Sequence, residues 1–187
     1  MMAQTDHELM RRAGQGELPA YRQLVARHLD RSVAFSQRML GSRADAEDVV
    51  QEVFLKVWEQ APSWQPRAAF STWLYRVLYN ACLDHKRKVV PFTVVEMEQL
   101  EDSSPTPDRQ CEQSQQARQV QQALALLPAR QRSALVLSYY DELSNQAAAE
   151  VMGVALGAFQ QLLFRARQAL RENMAQEALE RKNGRTG

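Results

Sequence analysis

The stretch LSNQAAAEVMGVALGAFQQLLFRAR, at residues 143–167, contains two helical patterns separated by Gly153. A first helix is predicted to begin after the N-cap Ser144 and to continue through Met152. A second helix is predicted over about 156–173. Two helices joined by a short glycine-containing turn form a helix-turn-helix, whose second helix enters the major groove of DNA. Helix pairs with this spacing also occur in proteins that never contact DNA.

The second predicted helix has an apolar face and a polar face. The residues expected to hold it against the preceding helices are Val151, Val154, Phe159, Leu162, Leu163 and Ala166, although the pattern does not assign both Phe159 and Leu163 with certainty. The candidates for the DNA side are Gln160, Gln161, Phe164, Arg165 and Arg167. Glutamine pairs with the edge of adenine, and arginine pairs with guanine or phosphate, so this face has suitable chemistry.

Helical periodicity also dominates the rest of the chain, and strand-like alternation is confined to a short run at Phe92–Val95. The sequence therefore predicts an all-α protein. The helices expected in the first half are Asp6–Gly14, Pro19–Leu40, Asp45–Gln60 and Ser71–Lys88.

The segment 91–113 interrupts this helical pattern. It contains three prolines, several serines and most of the acidic residues near the middle of the chain. Prolines prevent a continuous helix, and so polar a segment cannot bury enough apolar surface to offset its ordering entropy. We therefore predict two small helical domains, residues 1–90 and 114–187, joined by an acidic linker over 91–113 that contains Pro and Ser.

The third predicted helix has a core face and an acidic face. Its core positions at three-and-four spacing are Ala46, Val49, Val50, Val53, Phe54 and Val57. The other face carries Asp48, Gln51, Glu52, Leu55 and Glu59, with Trp58 at its edge. Such a face is either a solvated acidic surface or, because apolar side chains lie among the carboxylates, a docking surface for a basic protein.

The fourth predicted helix has a basic and aromatic side. The residues expected in the core are Leu74, Val77, Leu78, Ala81 and Cys82. The opposite side is expected to carry Thr72, Arg76, Tyr79, Asn80, Leu83, Lys86 and Arg87. Cations bind phosphates and flat rings bind unstacked bases, so this side is suited to melted nucleic acid. It also fits an ordinary amphipathic helix with a basic last turn.

Composition excludes several other classes of protein. The net charge of +1 argues against nonspecific coating of nucleic acid, although the middle of the chain is acidic and its end is basic. The two cysteines have no CxxC spacing, and neither a disulfide framework, a metal site nor a cofactor is expected. No signal-peptide core or membrane-length apolar run is present, so we expect a cytoplasmic protein without membrane insertion.

Taken in order, these patterns resemble the extracytoplasmic-function (ECF) sigma factors of the bacterial sigma-70 family, over nearly the whole chain. DAEDVVQEVFLKVW at 45–58 is similar to the family's polymerase-clamp-binding helix, and FSTWLYR at 70–76 followed by Asn80 resembles its promoter-melting segment. The pattern of the C-terminal DNA-reading domain is matched by Leu127-Pro128, Arg130-Gln131-Arg132, Leu143-Ser144, Gly153-Val154, Arg165-Ala166-Arg167 and Leu170-Arg171.

The resemblance implies three sets of contacts. Core RNA polymerase would be bound by Asp48, Gln51, Glu52, Leu55 and Trp58. The minus-ten element of promoter DNA would be bound by Trp64, Thr72, Trp73, Arg76, Tyr79, Asn80, Lys86 and Arg87. The minus-thirty-five element would be read by Gln160, Gln161, Phe164, Arg165 and Arg167. The resemblance also implies a controlling anti-sigma factor, a role in stress response and no catalysis, and we expect the free chain to be a monomer.

The chain departs from the family pattern at three positions. Ala147 stands where the family often has a glutamate, so the reciprocal half of a capping box is missing. Gln160 and Gln161 replace a charged residue and a serine, so the promoter sequence cannot be transferred from relatives.

Two other functions compete with this interpretation. A regulator that binds DNA without polymerase would explain the helix-turn-helix, but it would leave the acidic and the basic-aromatic faces as coincidences. A nucleic-acid enzyme would need catalytic or metal-binding groups. His7, His28 and His85 lie in separate helices without ligand spacing, and no phosphate-binding loop or nucleophile motif is present.

Overall fold

A computed structural model describes residues 4–89, 119–139 and 143–183 of the chain, with side chains up to residue 176 in the last range. These residues form helices and turns, and no strand occurs among them. The all-α prediction is therefore confirmed. The predicted linker at 91–113 and the strand-like run at Phe92–Val95 lie outside the described residues.

The described residues contain eight α-helices and one 3-10 turn. They are α1 (Asp6–Gly14), α2 (Leu18–Leu40), α3 (Arg43–Gln60), a 3-10 turn (Ala61–Ser63), α4 (Phe70–Val89), α5 (described over 119–125), α6 (Ala129–Ser138), α7 (Asn145–Met152) and α8 (Leu156–Asn183). The four helices predicted in the first half are present, with ends within two residues of those expected.

The last helix is ten residues longer than predicted. It was expected to end at Asn173, but it continues to Asn183. The residues after Asn173 are mainly strong helix formers, and the next glycine is Gly184, so nothing in the sequence stops the helix earlier.

Polar caps set the start and the end of several helices. The hydroxyl of Ser42 accepts a hydrogen bond from the amide of Asp45 at 3.2 Å, and Ser144 caps α7 in the same way through the amide of Ala147. Gly41 and Gly153 end α2 and α7 in the left-handed region, with φ of 90° and 66°. Glycine adopts that backbone without a steric penalty, which explains the sharp turns at these two positions.

The first helical domain is a bundle of α1 to α4. α2 packs mainly on α3 and α1, and it also contacts α4. The rings of Phe35 and Tyr75 meet edge to face in its core, with centroids 5.2 Å apart, and both are fully buried. Asp6 at the start of α1 contacts His28 Nε2 at 2.8 Å, which attaches α1 to the middle of α2. Each helix therefore has a defined outward face.

The second helical domain is formed by α5 to α8. Its centre includes Leu135, Leu137 and Phe159, which are fully buried. It packs on the first domain mainly through α7 against α4 and through α6 against α2. Hydrogen bonds between described residues cross this contact: Arg76 Nη2 donates to the carbonyl of Glu150, and Gln121 Nε2 donates to the carbonyl of Gln37.

No single helix in the described ranges has the length and apolar composition needed to cross a membrane. The consecutive helices Asn145–Met152 and Leu156–Gln176 meet these criteria of length and composition only when they are taken together, and the chain bends by 98° at the break between them.

Candidate polymerase and nucleic-acid interfaces

The acidic face of α3 lies on the surface, as the sequence predicts. All six predicted core residues of this helix are buried. Asp48, Gln51 and Glu52 are exposed, and the side chain of Leu55 is 59% exposed. Trp58 is half-buried because its ring packs on Tyr21, with centroids 4.9 Å apart. The hydroxyl of Tyr21 donates to the carbonyl of Phe54 at 2.7 Å, so this edge of the surface is held in place.

A groove of about 780 Å³ separates α2 from α3, and we call it the α2–α3 groove. Its apolar lining includes Val25, Leu29, Val33, Phe54 and Leu55, and its acidic lining includes Asp30, Glu47 and Asp48. Sequence reasoning missed the residues from α2. Leu29 stands out because it is a large apolar residue that is 39% exposed. That exposure is known only from the structure, so the sequence alone did not identify Leu29.

Two of the residues predicted to contact minus-ten DNA are buried instead. Thr72 and Tyr79 are only 7% and 8% exposed. The prediction that they lie on an open face is wrong because α4 packs on α2, α3 and α7, so its buried surface is wider than a single stripe. Conversely, Val77 and Ala81, which were assigned to the core, are half-buried.

The remaining polar residues of α4 are distributed between solvent and the contact with α7. Asn80 and Arg87 are exposed, and Arg87 lies 3.5 Å from Asp84. Arg76 is exposed, but its guanidinium donates to the carbonyl of Glu150 at 2.8 Å. α7 therefore covers part of the face that the sequence assigns to DNA.

Lys86 is half-buried near the second domain. Burial and the nearby Arg132 guanidinium lower the pKa of Lys86 from 10.5 to about 8. Arg132 donates through Nη2 to the carbonyls of Ala125 and Leu127, while its buried Nε has no hydrogen-bond partner among the described residues. Two cations thus lie close together at the contact between the domains.

A cluster of rings lies at the start of α4. Trp64 and Trp73 are half-buried, with centroids 6.2 Å apart, and Phe70 lies between 5.7 and 6.2 Å from both. His7 from α1 packs on Trp64 at 5.3 Å. The structure thus brings together the two predicted tryptophans. It adds buried Phe70, which lies in the predicted promoter-melting segment 70–76. It also adds His7, which sequence reasoning did not place at this site because α1 is remote from α4 along the chain.

The predicted DNA side of α8 is fully exposed. Gln160, Gln161, Phe164, Arg165 and Arg167 all lie on the surface, and Phe164 is 68% exposed. Phe159, Leu163 and Ala166 are buried on the opposite face. Phe159 and Leu163, which the sequence pattern could not both assign, therefore both belong to the core. Arg165 and Arg167 have no carboxylate partner within the described part of the chain, and no acidic residue occurs between 156 and 171. This face can therefore offer amides, a ring and free cations to DNA.

No group of three His, Cys, Asp or Glu side chains suited to a metal ion occurs among the residues described. The histidines have separate surroundings: His28 contacts Asp6, and His85 Nε2 lies 3.6 Å from Asp45.

Comparisons with known proteins agree with this arrangement. The family models for Sigma-70 region 2 and Sigma-70, region 4 match residues 24–90 and 117–170. The chain is 32% identical to the ECF RNA polymerase sigma factor SigE of Mycolicibacterium smegmatis, over 89% of this chain and 66% of that protein. It is 34% identical to the ECF RNA polymerase sigma factor SigM of Mycobacterium tuberculosis, over 89% of this chain and 83% of that protein.

A solved structure extends the likeness to the fold. The sigma factor RpoE of Bartonella quintana, in complex with the anti-sigma factor NepR, matches with a TM-score of 0.64 and 25% identity. The match covers 83% of this chain and 96% of that one. The chain therefore belongs to the ECF sigma factors of the sigma-70 family, the proteins that direct core RNA polymerase to specific promoters and help to melt the minus-ten region.

Proposed function

We propose that the chain binds core RNA polymerase through the α2–α3 groove and the acidic face of α3, which includes Gln51 and has Trp58 at its edge. The observation that carries this assignment is the 59% exposure of Leu55 on the same surface as Asp48 and Glu52. A large apolar side chain left in water among charged groups is typical of a protein-binding surface. A basic helix of the polymerase with apolar residues along one side complements it in charge and shape.

The same surface distinguishes a sigma factor from a regulator that acts without polymerase. Both kinds of protein use a helix-turn-helix, so the exposed face of α8 supports either function. Only a protein that docks on polymerase needs the acidic and apolar surface on α3.

The minus-ten element binds the exposed half of α4 and the adjacent rings. Arg76, Asn80, Lys86 and Arg87 supply cations and an amide, while Trp64 and Trp73 supply the flat rings that hold unstacked bases. Thr72 and Tyr79 are buried and act by positioning α4. Binding opened DNA more tightly than duplex DNA favours the melted state, so no bond is made or broken by this chain.

The minus-thirty-five element binds the polar face of α8, where Gln160, Gln161, Phe164, Arg165 and Arg167 meet the major groove. Residues 1–90 then form the sigma region 2 domain and residues 114–187 form the region 4 domain, with 91–113 as the linker. Since α7 covers part of α4, the two domains separate before both DNA elements are bound.

Regulation and location follow from the family. An anti-sigma factor binds this chain, in keeping with the solved complex of RpoE with the anti-sigma factor NepR. By covering the polymerase-binding surfaces, it would prevent docking on polymerase. The protein acts in the cytoplasm, as a monomer when free, without a cofactor and without catalysis.

Run-off transcription tests this function. Core RNA polymerase is incubated with a pool of genomic promoter fragments, with and without the protein. Specific new transcripts that require both components are expected. A footprint made by the protein alone, without any new transcript, would instead favour the polymerase-independent regulator.

A double variant tests the docking surface in the same assay. Asp48→Ala with Glu52→Ala removes two exposed carboxylates without changing the core, so the helical content should be preserved while polymerase binding is lost in a pull-down. Unchanged binding would remove the assignment of this surface.

A further inference from the structure

The contact between the two domains brings two cations together. Lys86 lies in the last turn of α4, and Arg132 lies in the first turn of α6. Burial and the nearby guanidinium of Arg132 together lower the pKa of Lys86. Both side chains are half-buried, so water and salt screen their repulsion less than they would at the surface. We call these two residues the junction cations, and the functions proposed above do not explain why they meet.

The guanidinium of Arg132 is held in place by the backbone before α6. Its Nη2 donates to the carbonyls of Ala125 and Leu127. Its Nε is buried and has no hydrogen-bond partner among the residues that the structure describes. A buried donor without an acceptor is destabilising, so an acceptor beside Arg132 would stabilise the arrangement.

A further donor at the same junction also lacks an acceptor. Ser36 lies on α2, one residue before Gln37, whose carbonyl accepts the hydrogen bond from Gln121 of the second domain. Ser36 is fully buried against Cys82, which precedes Lys86 by one helical turn. Its hydroxyl has no hydrogen-bond partner within the described ranges. The junction thus contains donors from α2, α4 and α6 in excess of acceptors.

The helices around the junction cations offer them no carboxylate. Residues 31–40 of α2, the described part of α5 and the whole of α6 contain no Asp or Glu. In α4 the one acidic residue is Asp84, which is exposed and lies 3.5 Å from Arg87. The positive charge of the junction is therefore not balanced by a side chain of these helices.

An ammonium beside a guanidinium is suited to a phosphate group. Both groups form charge-assisted hydrogen bonds with phosphate oxygens. Two cations match the charge of a phosphate monoester, which approaches −2 near neutral pH, better than they match a single carboxylate or chloride. Since the junction cations come from different domains, a ligand that contacts both can bind only while the domains are packed together.

We propose that a phosphate dianion binds between Lys86 and Arg132 and holds the two domains in the packed arrangement. Its source is either free inorganic phosphate or the terminal phosphate of a nucleotide. A ligand that binds one arrangement shifts the equilibrium toward it. The inference goes beyond the proposed function and needs neither polymerase nor promoter DNA for its test.

Isothermal titration calorimetry of the full chain with inorganic phosphate, at neutral pH in chloride buffer of constant ionic strength, provides the first measurement. One phosphate should bind per chain. Lys86→Gln should weaken binding by about 10- to 100-fold, as expected for the loss of one charge-assisted hydrogen bond. Lys86→Arg keeps the cation and should keep the affinity.

Two variants of α6 show whether the second domain takes part. Arg132→Gln should weaken phosphate binding by a similar factor. Because Arg132 also holds two backbone carbonyls, circular dichroism first checks the helical content of this variant. Arg130→Gln removes an exposed cation from the same helix, two positions away, and should leave the affinity unchanged.

Small-angle X-ray scattering tests whether the anion joins the domains. Gln121→Ala loosens the contact by removing the hydrogen bond to Gln37, and it should increase the radius of gyration. Adding phosphate should reverse that increase, whereas chloride at the same ionic strength should not. When Gln121→Ala is combined with Lys86→Gln, phosphate should have no effect.

Each outcome decides one part of the proposal. Tighter binding of adenosine triphosphate than of inorganic phosphate identifies a nucleotide as the source, and equal or weaker binding identifies free phosphate. Absence of saturable phosphate binding, or equal affinities of the unaltered chain and Lys86→Gln, means an adventitious ion only and overturns the site. Phosphate binding that leaves the radius of gyration of Gln121→Ala unchanged overturns the role in holding the domains together.

Discussion

α8 and α4 are the two helices assigned to promoter DNA, and they differ in the number of neighbours that surround them. α8 packs on α6 and α7 through one face, and its opposite face is open. α4 packs on α2, α3 and α7, and only part of its predicted DNA face reaches solvent. A helix with neighbours on one side follows the simple division into a core face and a functional face, whereas a helix surrounded on three sides does not.

This difference has a consequence for the order of events. The reading face of α8 is available before the domains separate, because no part of the described chain covers it. The face of α4 becomes fully available only after α7 withdraws from Arg76. If α8 and α4 bind promoter DNA as proposed, the chain would meet duplex DNA in its packed form and would hold melted DNA best in a separated form.

The largest effect should come from Tyr79, which looks like a DNA contact in the sequence but is buried in the structure. Tyr79→Ala should lower the free energy of unfolding by roughly 3 kcal/mol, because it leaves a cavity under α4. Asn80→Ala, one position further on the exposed side, should change stability by less than about 0.5 kcal/mol. Chemical denaturation of both variants measures the contrast, and equal stabilities would show that Tyr79 is not a core residue.

The next effect concerns α8, whose polar face is open to solvent. Arg165→Ala should weaken binding to duplex promoter DNA by about 1–3 kcal/mol if the guanidinium contacts a base, with little change in stability. Fluorescence anisotropy with a duplex minus-thirty-five fragment provides the measurement. If the variant transcribes normally from every promoter tested, the placement of Arg165 on the reading face is wrong.

A smaller effect is expected from the contact between the domains. Gln121→Ala removes the hydrogen bond to the carbonyl of Gln37, which contributes about 0.5–1.5 kcal/mol to the packed arrangement. Binding of single-stranded minus-ten DNA should tighten by about two- to tenfold, because the separated form becomes more populated.

Gln168→Ala is the matched control for that variant. Among the described residues its side chain bonds to Glu172 within α8, at 3.1 Å, and not across the domain contact, so its loss should leave strand binding unchanged. Equal tightening in the two variants would mean that the domain contact does not limit access to α4.

An effect that appears only above about pH 8 concerns the pH dependence of stability. The pKa of Lys86 is lowered in the folded chain to about 8, so folding is opposed by its protonation below pH 8. Stability attributable to Lys86 should therefore rise as the pH increases from about 8 to 10.5.

Comparison with Lys86→Gln isolates this effect. Burial raises the pKa of the nearby Cys82 thiol to about 11, which acts in the opposite direction above pH 9 but is shared by both proteins. The difference in unfolding free energy between the two proteins should shift in favour of the unaltered protein across that range. A constant difference would show that Lys86 does not titrate at the domain contact.

The sequence by itself determined the four helices of the first half, α7, the start of α8, the core of α3 and the two faces of α8. These features depend on local spacing: apolar residues recur every three or four positions, Ser144 and Gly153 mark the limits of α7, and α8 has one packed side. The motif order was also sufficient to place the chain in its family. These properties depend on residues within one helix or its immediate neighbours in the chain, so they can be predicted without knowledge of distant contacts.

Only the tertiary structure decided which residues of α4 remain available and what completes the site beside Trp64. Thr72 and Tyr79 became buried because helices from both domains surround α4, and Arg76 gained a partner 74 positions away in the chain. His7 joined Trp64 because Gly14 allows α1 to approach the 3-10 turn. Contacts between segments so far apart depend on how the helices pack, and hydrophobic periodicity contains no information about which helices become neighbours.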